Sequence, residues 1–567
     1  MKTVARMLLA LCILLFTSAQ FLMSAAKHPV RAKHGMVVSA DELASNVGVE
    51  ILKKGGTAVD AAVAVGFALA VTFPGAGNIG GGGYMVIRMN DGKTATIDYR
   101  EKAPAKASRD MFLDQNGHFV PEGSQEGYLS SGVPGSVAGL LYALETYGTL
   151  NRKTVLQPAI DLARKGFRIN GELAEDLRAD LKVLSRFPSS MKIFTKGGIP
   201  YEEGDLLVQK DLAETLKRIQ QYGRDGFYKG KTADLIVAEM QRGGGLITAD
   251  DLQSYQAVER PPIYGTYRGC KIVSMGPSSA GGICLVEMLN LLEPFNIAGD
   301  GFASSRTVSF MAEAMKLAYA DRSQYLGDSD FYPVPVSRLI SKEYAEERGR
   351  LLDSTRATPS RTISPGVIPL KEGTHTTHYS VVDRWGNAVS VTTTVNSWFG
   401  NKIVVGGAGF FLNNEMDDFS AKPGVANIYG LVGGEANSIQ PGKRMLSSMT
   451  PTIVLKDDKP FLVVGSPGGS TIITTVLQVI LNVIDHRMNI AEAIDAPRIH
   501  HQWQPDTLYY EKYGLAKDVI ENLEKRGYYV CHRRGTQGMA EGIIVDRKDG
   551  LLYGASDSRG FGAAVGY

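Results

Sequence analysis

Cysteine is scarce in this sequence: four occur in 567 residues, at positions 12, 270, 284 and 531, and none form a Cys-x-x-Cys pair. That pattern excludes a disulfide framework or a cysteine-ligated zinc site as the basis of the fold. Long runs of one charge are also missing. Sixty-one basic residues against 59 acidic ones leave a net charge of +2, which argues against a nucleic-acid arm or a polybasic membrane patch. There is no Asn-x-Ser/Thr acceptor, as suits a bacterial envelope better than a glycosylated ectodomain. The N-terminal apolar run MLLALCILLF is broken by Thr17, Ser18 and Gln20 before it could comfortably span a bilayer. Lys2 and Arg6 ahead of it, and Ser24, Ala25 and Ala26 behind it, give the layout of a secretory signal over 1–26. Export to the periplasm or beyond is the expectation, with an uncleaved anchor as the alternative. Cys12 would leave with the signal.

What is present is enough apolar material, 44% of the residues, to bury a large core. Ser39-Ala-Asp-Glu42 reads as a capping box for a helix ending near Leu52, and Thr57-Ala-Val-Asp60 as a second one leading into AAVAVGFALAV, a helix apolar on every side and therefore buried. YMVIRM and TATIDYR, separated by Asp91-Gly92, read as a hairpin. Helical patterns fill about 140–260 and 280–326, and RLLDSTRATPSRTISPGVIPLKEG from Arg350 reads as a loose linker. Strands resume after it. Strands and helices in this order predict layered sheets covered by helices.

The stretch KEGTHTTHYSVVD, residues 371–383, crowds hydroxyls and imidazoles at a strand entrance. If Arg384-Trp385-Gly386 is a three-residue loop with Gly386 left-handed, Asp383 faces Asn387, Thr376 faces Thr394 and His378 faces Thr392. Thr376, Thr394, His378 and Thr392 would share one face. A one-residue slip would set Val395 against Thr376 instead, and such a cluster taken alone fits an edge-strand surface. Gly75-x-Gly77-x-x-Gly80 matches the dinucleotide fingerprint, but a helix precedes it and a strand follows, the reverse of the required context. FLVVGSPGGSTIITTV reads as strand, glycine turn and helix; N–H groups there suit an oxyanion, and the absence of a Lys-Ser/Thr ending excludes a P-loop.

Together GNIGGGGYM, DYREKAP, SSGVPGSVAGL, TTHYSVVD, NNEMDDFSAKPG, RMLSSMTPTIV, GSPGGS and APRIHHQW resemble γ-glutamyltransferase (γ-glutamyl transpeptidase), a self-processing N-terminal-nucleophile hydrolase, over essentially the whole chain after the signal. The resemblance implies a four-layer αββα sandwich cut at His375-Thr376 into a large piece, 27–375, and a small piece, 376–567, that stay together as a heterodimer. Thr376 would then be a chain terminus. Its own α-amine, with an ordinary pKa of ~8, can serve as base toward its hydroxyl, so no Ser-His-Asp set is needed.

By the same resemblance the family's roles fall on matching positions. Thr376 attacks the γ-carbonyl of glutathione or another γ-glutamyl donor, Thr394 orients its hydroxyl, and Gly468 and Gly469 donate to the oxyanion. Arg100 with Ser447 and Ser448 holds the donor carboxylate; Asp418, Glu415 and Asn396 hold its ammonium. Two carboxylates in one pocket without a cation would repel and raise one pKa. KPGVANIYGLVGGEANSIQPGK occupies the place of a lid loop, with Tyr429 at the gating position. Asp417 reads as a structural neighbour. His500 and His501 point to opposite faces if on a strand and lack a third ligand by spacing, so they read as structural. Cys270 and Cys284, among apolar neighbours, read as core thiols. No cofactor or metal is implied. The acceptor would be an amino acid, a peptide or water. A glutaryl-type β-lactam acylase on the same fold is the competing activity, and a processed but inactive binding protein is the competing class.

Overall fold

The computed structural model describes residues 27–363, 376–422, 424–533 and 535–567. The signal over 1–26, the end of the linker and His375 lie outside the described residues. Two seven-stranded sheets form the centre, and every neighbouring pair in each is antiparallel. The front sheet runs Ala563–Gly566, Gly35–Ser39, Thr377–Asp383, Ala388–Thr394, Gly82–Arg88, Thr94–Asp98, Val258–Arg260. The back sheet runs Val30–Ala32, Leu551–Ser556, Glu541–Asp546, Lys459–Gly465, Thr452–Lys456, Cys270–Ser274, Ile263–Tyr267. Strands from before the linker and from after it are interleaved in both sheets.

Period-2 alternation sorts the side chains into layers. Tyr379, Val381, Val389 and Val391 pack outward against the helices Glu42–Lys53, Ala58–Thr72 and Ser136–Tyr147. Val38, Val86, Val382, Ile453, Val463 and Ile543 fill the space between the sheets. On the back sheet's outer side Ile272, Val454 and Leu462 pack against Gly281–Leu292, Ser305–Tyr325 and Thr471–Ile484. The result is the αββα sandwich, with apolar cores between successive layers.

Local signals explain much of this. Thr57 and Asp60 form the reciprocal capping box, and the helix they start is buried along its whole length. The first helix is capped differently from the sequence expectation. Asp41, not Ser39, accepts from Ala44 N–H (3.0 Å), while Ser39 donates to the Asp41 carbonyl (2.9 Å). A carboxylate one residue from the helix start wins because it reaches the free amides and complements the helix dipole.

The Thr377–Asp383/Ala388–Thr394 hairpin adopts the expected register, with His378 paired to Thr392 and Thr377 to Thr393. Gly386 sits at φ +87° and donates to the Asp383 carbonyl, closing the loop. The hairpin is no edge. It lies mid-sheet between Gly35–Ser39 and Gly82–Arg88, buried throughout, so the threonines line an interior end of the sandwich.

The glycines of residues 75–83 are packing devices, as the reversed helix–strand context requires. A Cβ on Gly77 would sit 2.3 Å from the Leu69 carbonyl oxygen, and one on Gly81 only 2.0 Å from that of Thr394. Among the described residues no helix is long and apolar enough to cross a membrane.

Candidate active site

The site forms where both sheets end on the same side. In the front sheet the pairing Thr394 to Gly82 and the bonded pair Tyr99 to Gly83 set a row that, one step further, aligns Thr376, Thr394, Gly82 and Arg100. The sequence separation between these groups is therefore erased by register alone. In the back sheet, Gly465 ends its strand against the His378 ring, with a hypothetical Cβ 2.3 Å from the ring carbon, and leads into Ser466-Pro467-Gly468-Gly469. His378 is neutral: burial pushes its pKa down to about 3, and its ring nitrogens bond the Thr392 (2.9 Å) and Ser380 (3.1 Å) hydroxyls. It holds the glycine turn against the threonine strands.

One cavity gathers Thr376, Thr394, Arg100, Asn396, Glu415, Asp418, Tyr429, Ser447, Ser448 and Gly469. It encloses about 260 Å³ of empty space, of which about 20 Å³ takes the centre of a water molecule. Gly468 lies just beyond, on a second cavity that Thr376 also lines. Gly468 and Gly469 have φ of +132° and +54°, a left-handed turn that frees their N–H groups, and neither finds an acceptor among the described residues. A Cβ on Gly469 would press within 2.4 Å of the Tyr429 ring. The Thr394 hydroxyl accepts from Asn396 N–H (2.8 Å) and so fixes the bend that turns Asn396 into the cavity at φ +76°.

The charges are arranged differently from the expectation of two carboxylates without a cation. Arg100, fully buried, bonds Glu415 (2.6 Å) and Asp418 directly, with Glu101 at 3.6 Å. Burial opposes its charge, yet the three carboxylates raise its pKa well above the ordinary value. Burial pushes Glu415 and Asp418 upward, against the pull of Arg100, and takes Glu101 to about 7. Low dielectric makes such partners find each other when nothing else does. Three acids face one guanidinium, so the cluster retains acceptor capacity: Asn396 Oδ1 and Glu415 Oε2 are buried and unbonded among the described residues.

Ser448 accepts from Arg322 (3.2 Å), and Ser447 Oγ accepts from Met449 N–H (3.1 Å), which shapes the turn before the Thr452–Lys456 strand. The Tyr429 hydroxyl donates to the Asn396 carbonyl (2.7 Å), which holds its ring in the wall of the cavity that Thr376 lines. Asp417 anchors that segment, accepting from Ile428 N–H (2.9 Å) and the Ser124 hydroxyl (2.7 Å).

Several contributors were invisible in the sequence. Asn78 donates to the Thr394 carbonyl (2.9 Å) and accepts from Gly81 N–H (2.9 Å). Asn413 ties Gly80, Gly132 and Glu415 together. Asp98 binds Arg100 N–H (3.0 Å) and sits 3.3 Å from Arg444. The only sequence signal was their position inside motifs, GNIGGGGYM, NNEMDDFSAKPG, DYREKAP and RMLSSMTPTIV.

His500 bonds Thr474 and Gln502 (2.9 Å each), while His501 accepts from Trp503 N–H and lies 3.3 Å from Asp506. Cys284 is fully buried, its thiol pushed well up by burial, and Cys270 is raised for the same reason, which makes both poor nucleophiles. Burial lowers His500 to about 3. The unfolded value is about 6.5, so below that pH the unfolded chain binds the extra proton and stability falls. Replacing His500 with Gln is expected to weaken the acid sensitivity by about 2 kcal/mol between pH 7 and 5, read from denaturant melts of variant and parent. Buried acids with raised values act oppositely and cancel in that comparison.

A threonine opening a central strand, a glycine turn with free amides beside it and a four-layer αββα sandwich define an N-terminal-nucleophile hydrolase fold. The Gamma-glutamyltranspeptidase family model matches residues 44–567, and the chain belongs to that family. It is 55% identical over 533 residues to the glutathione hydrolase proenzyme of Escherichia coli (strain K12), covering 94% of this chain and 91% of that protein. It is 47% identical over 553 residues to the glutathione hydrolase proenzyme of Pseudomonas sp. (strain A14), covering 96% of each. The crystal structure of cephalosporin acylase from Bacillus halodurans aligns at a TM-score of 0.84 with 28% identity, over 97% of this chain and 98% of that one.

Proposed function

We propose that this chain is an exported γ-glutamyltransferase and glutathione hydrolase that activates itself by cutting His375-Thr376. Thr376 Oγ attacks the His375 carbonyl, the peptide C–N bond breaks as the ester forms, and water releases 27–375 with a free carboxylate. Strands from both sides of the cut are interleaved in both sheets, which supports two pieces remaining one native heterodimer. In turnover the new α-amine takes the hydroxyl proton, Oγ attacks the donor γ-carbonyl, and the Gly468 and Gly469 amides receive the developing oxyanion. The leaving amine takes the proton. Water or a second amine then attacks the ester.

The observation that carries this reading is the one cavity joining Thr376 to Arg100, Glu415, Asp418 and Asn396. It offers a guanidinium for an α-carboxylate, and unbonded Asn396 and Glu415 oxygens for an α-ammonium. On binding, Arg100 exchanges part of its pairing with Asp418 and Glu415 for the donor carboxylate. Mixing purified protein with a γ-glutamyl anilide should release the aniline and place one γ-glutamyl group on the 376–567 piece, seen by mass spectrometry; a label on the other piece, or none during steady turnover, overturns it. With the α-amine as base, no single His→Ala change is expected to abolish turnover in already processed protein. Histidine scanning on separately expressed fragments checks this: one histidine whose loss removes all turnover with donor binding intact would require another base.

A further inference from the structure

Thr376 stands at a junction between two cavities. Away from the charged donor cavity it lines a larger chamber, about 290 Å³ of which admits water centres, walled by Glu172, Glu175, Asp176, Trp398, Arg559 and Phe561 among others. The three acids lie on the helix Gly171–Ala179 at spacings of three and four, hence on adjoining positions of one face. Among the described residues none of the three is ion-paired. Arg559 is fully engaged by Glu511 (2.6 Å) and Asp557 (2.9 Å), and Lys402, the cation whose charge reaches Asp176, is bonded to Asp180 (2.6 Å). Burial and the neighbouring acids push Glu172 and Asp176 up to about 7. Independently, Thr376 is only 4% exposed, lines this chamber, and has no hydrogen-bond partner among the described residues.

We propose that this second chamber admits the amine acceptor and selects amines that carry a further positive charge, such as basic amino acid derivatives and diamines. The inference rests on the γ-glutamyl reading above. The acceptor's distal ammonium binds Glu172 and Asp176, and Trp398 and Phe561 flank its methylene stem. Its uncharged amine attacks the ester carbonyl of γ-glutamyl-Thr376; the C–N bond forms, the C–Oγ bond breaks, and the amine proton passes through the Thr376 α-amine to Oγ. A donor carboxylate is excluded from this side by the acidic wall, so donor and acceptor approach the ester from opposite cavities.

Lysinamide and norleucinamide test this, because they share the attacking amine and the four-carbon side chain and differ only by an ammonium in place of a hydrogen on its last carbon. With a γ-glutamyl anilide donor, the acceptor KM for lysinamide is expected to be on the order of ten-fold below that for norleucinamide, and the gap should shrink as salt is raised. In Glu172→Gln/Asp176→Asn the ratio should fall to within about two-fold. Equal acceptor KM values in the parent protein, a salt-independent gap, or a ratio that survives in the variant overturns the proposal. If the variant does not fold, the salt series on the parent decides. Anilide hydrolysis without transfer to either amine sinks this inference and leaves the donor reading standing, whereas no anilide turnover sinks both.

Discussion

Thr376→Ala is expected to run as a single uncut chain under denaturing conditions, where the parent separates into pieces corresponding to 27–375 and 376–567. Both processing and turnover require the same oxygen. Without it no acyl shift can form the ester at His375, and no γ-glutamyl ester can form on a donor. Removing a covalent nucleophile lowers turnover by about 10⁴-fold or more. Intact mass and anilide turnover together check it. Thr376→Ser separates the two roles of the side chain, since it retains the hydroxyl and loses the methyl; it should be cut and active. An uncut parent with full activity, or a cut Thr376→Ala, would remove Thr376 from both steps.

The donor's α-ammonium should matter nearly as much. Glu101, Glu415 and Asp418 present three carboxyl groups to one guanidinium, and Asn396 Oδ1 and Glu415 Oε2 have no partner among the described residues. When a donor carboxylate recruits Arg100, the pairing that neutralised Asp418 and Glu415 weakens, and only an incoming cation restores it. A glutaryl group brings the carboxylate without that cation. Leaving a buried carboxylate unpaired costs on the order of 2 to 5 kcal/mol, so a glutaryl anilide should react roughly thirty-fold to several-thousand-fold more slowly than the γ-glutamyl one. Asp418→Ala should narrow the gap, mainly by damaging the γ-glutamyl reaction, and will also loosen the segment that carries Tyr429, because Asp418 accepts from Asn427 (2.9 Å). Similar kcat/KM for the two anilides in the parent would favour the acylase activity instead.

Much of the scaffold was legible because it rests on local rules. The hairpin register followed from a three-residue loop and the period of two, and it set Thr376 against Thr394 with no long-range information. The Thr57–Asp60 box and the apolar run after it fixed a buried helix. The Ser39 cap was misjudged because Ser39 and Asp41 both satisfy capping chemistry, and only the chain's entry angle chooses between them. Family motifs named the charged residues of the cavity at Thr376, but not their pairing. A motif states which groups are present; the fold brings Arg100 onto Asp418 and Glu415.

The sequence by itself determined the layered αβ architecture and the threonine hairpin, because periodicity and turn chemistry act over a few positions, while the resemblance carried by its motifs singled out Thr376 and the charged residues. Tertiary structure alone decided that the threonine hairpin is central rather than an edge, since strand order depends on which distant segments pair. It alone recruited Asn78 and Asn413, whose partners lie up to hundreds of residues away. It alone set Thr376 between a charged cavity and an acidic chamber, because a cavity is the space left after all layers have packed, and no short stretch of chain encodes that space.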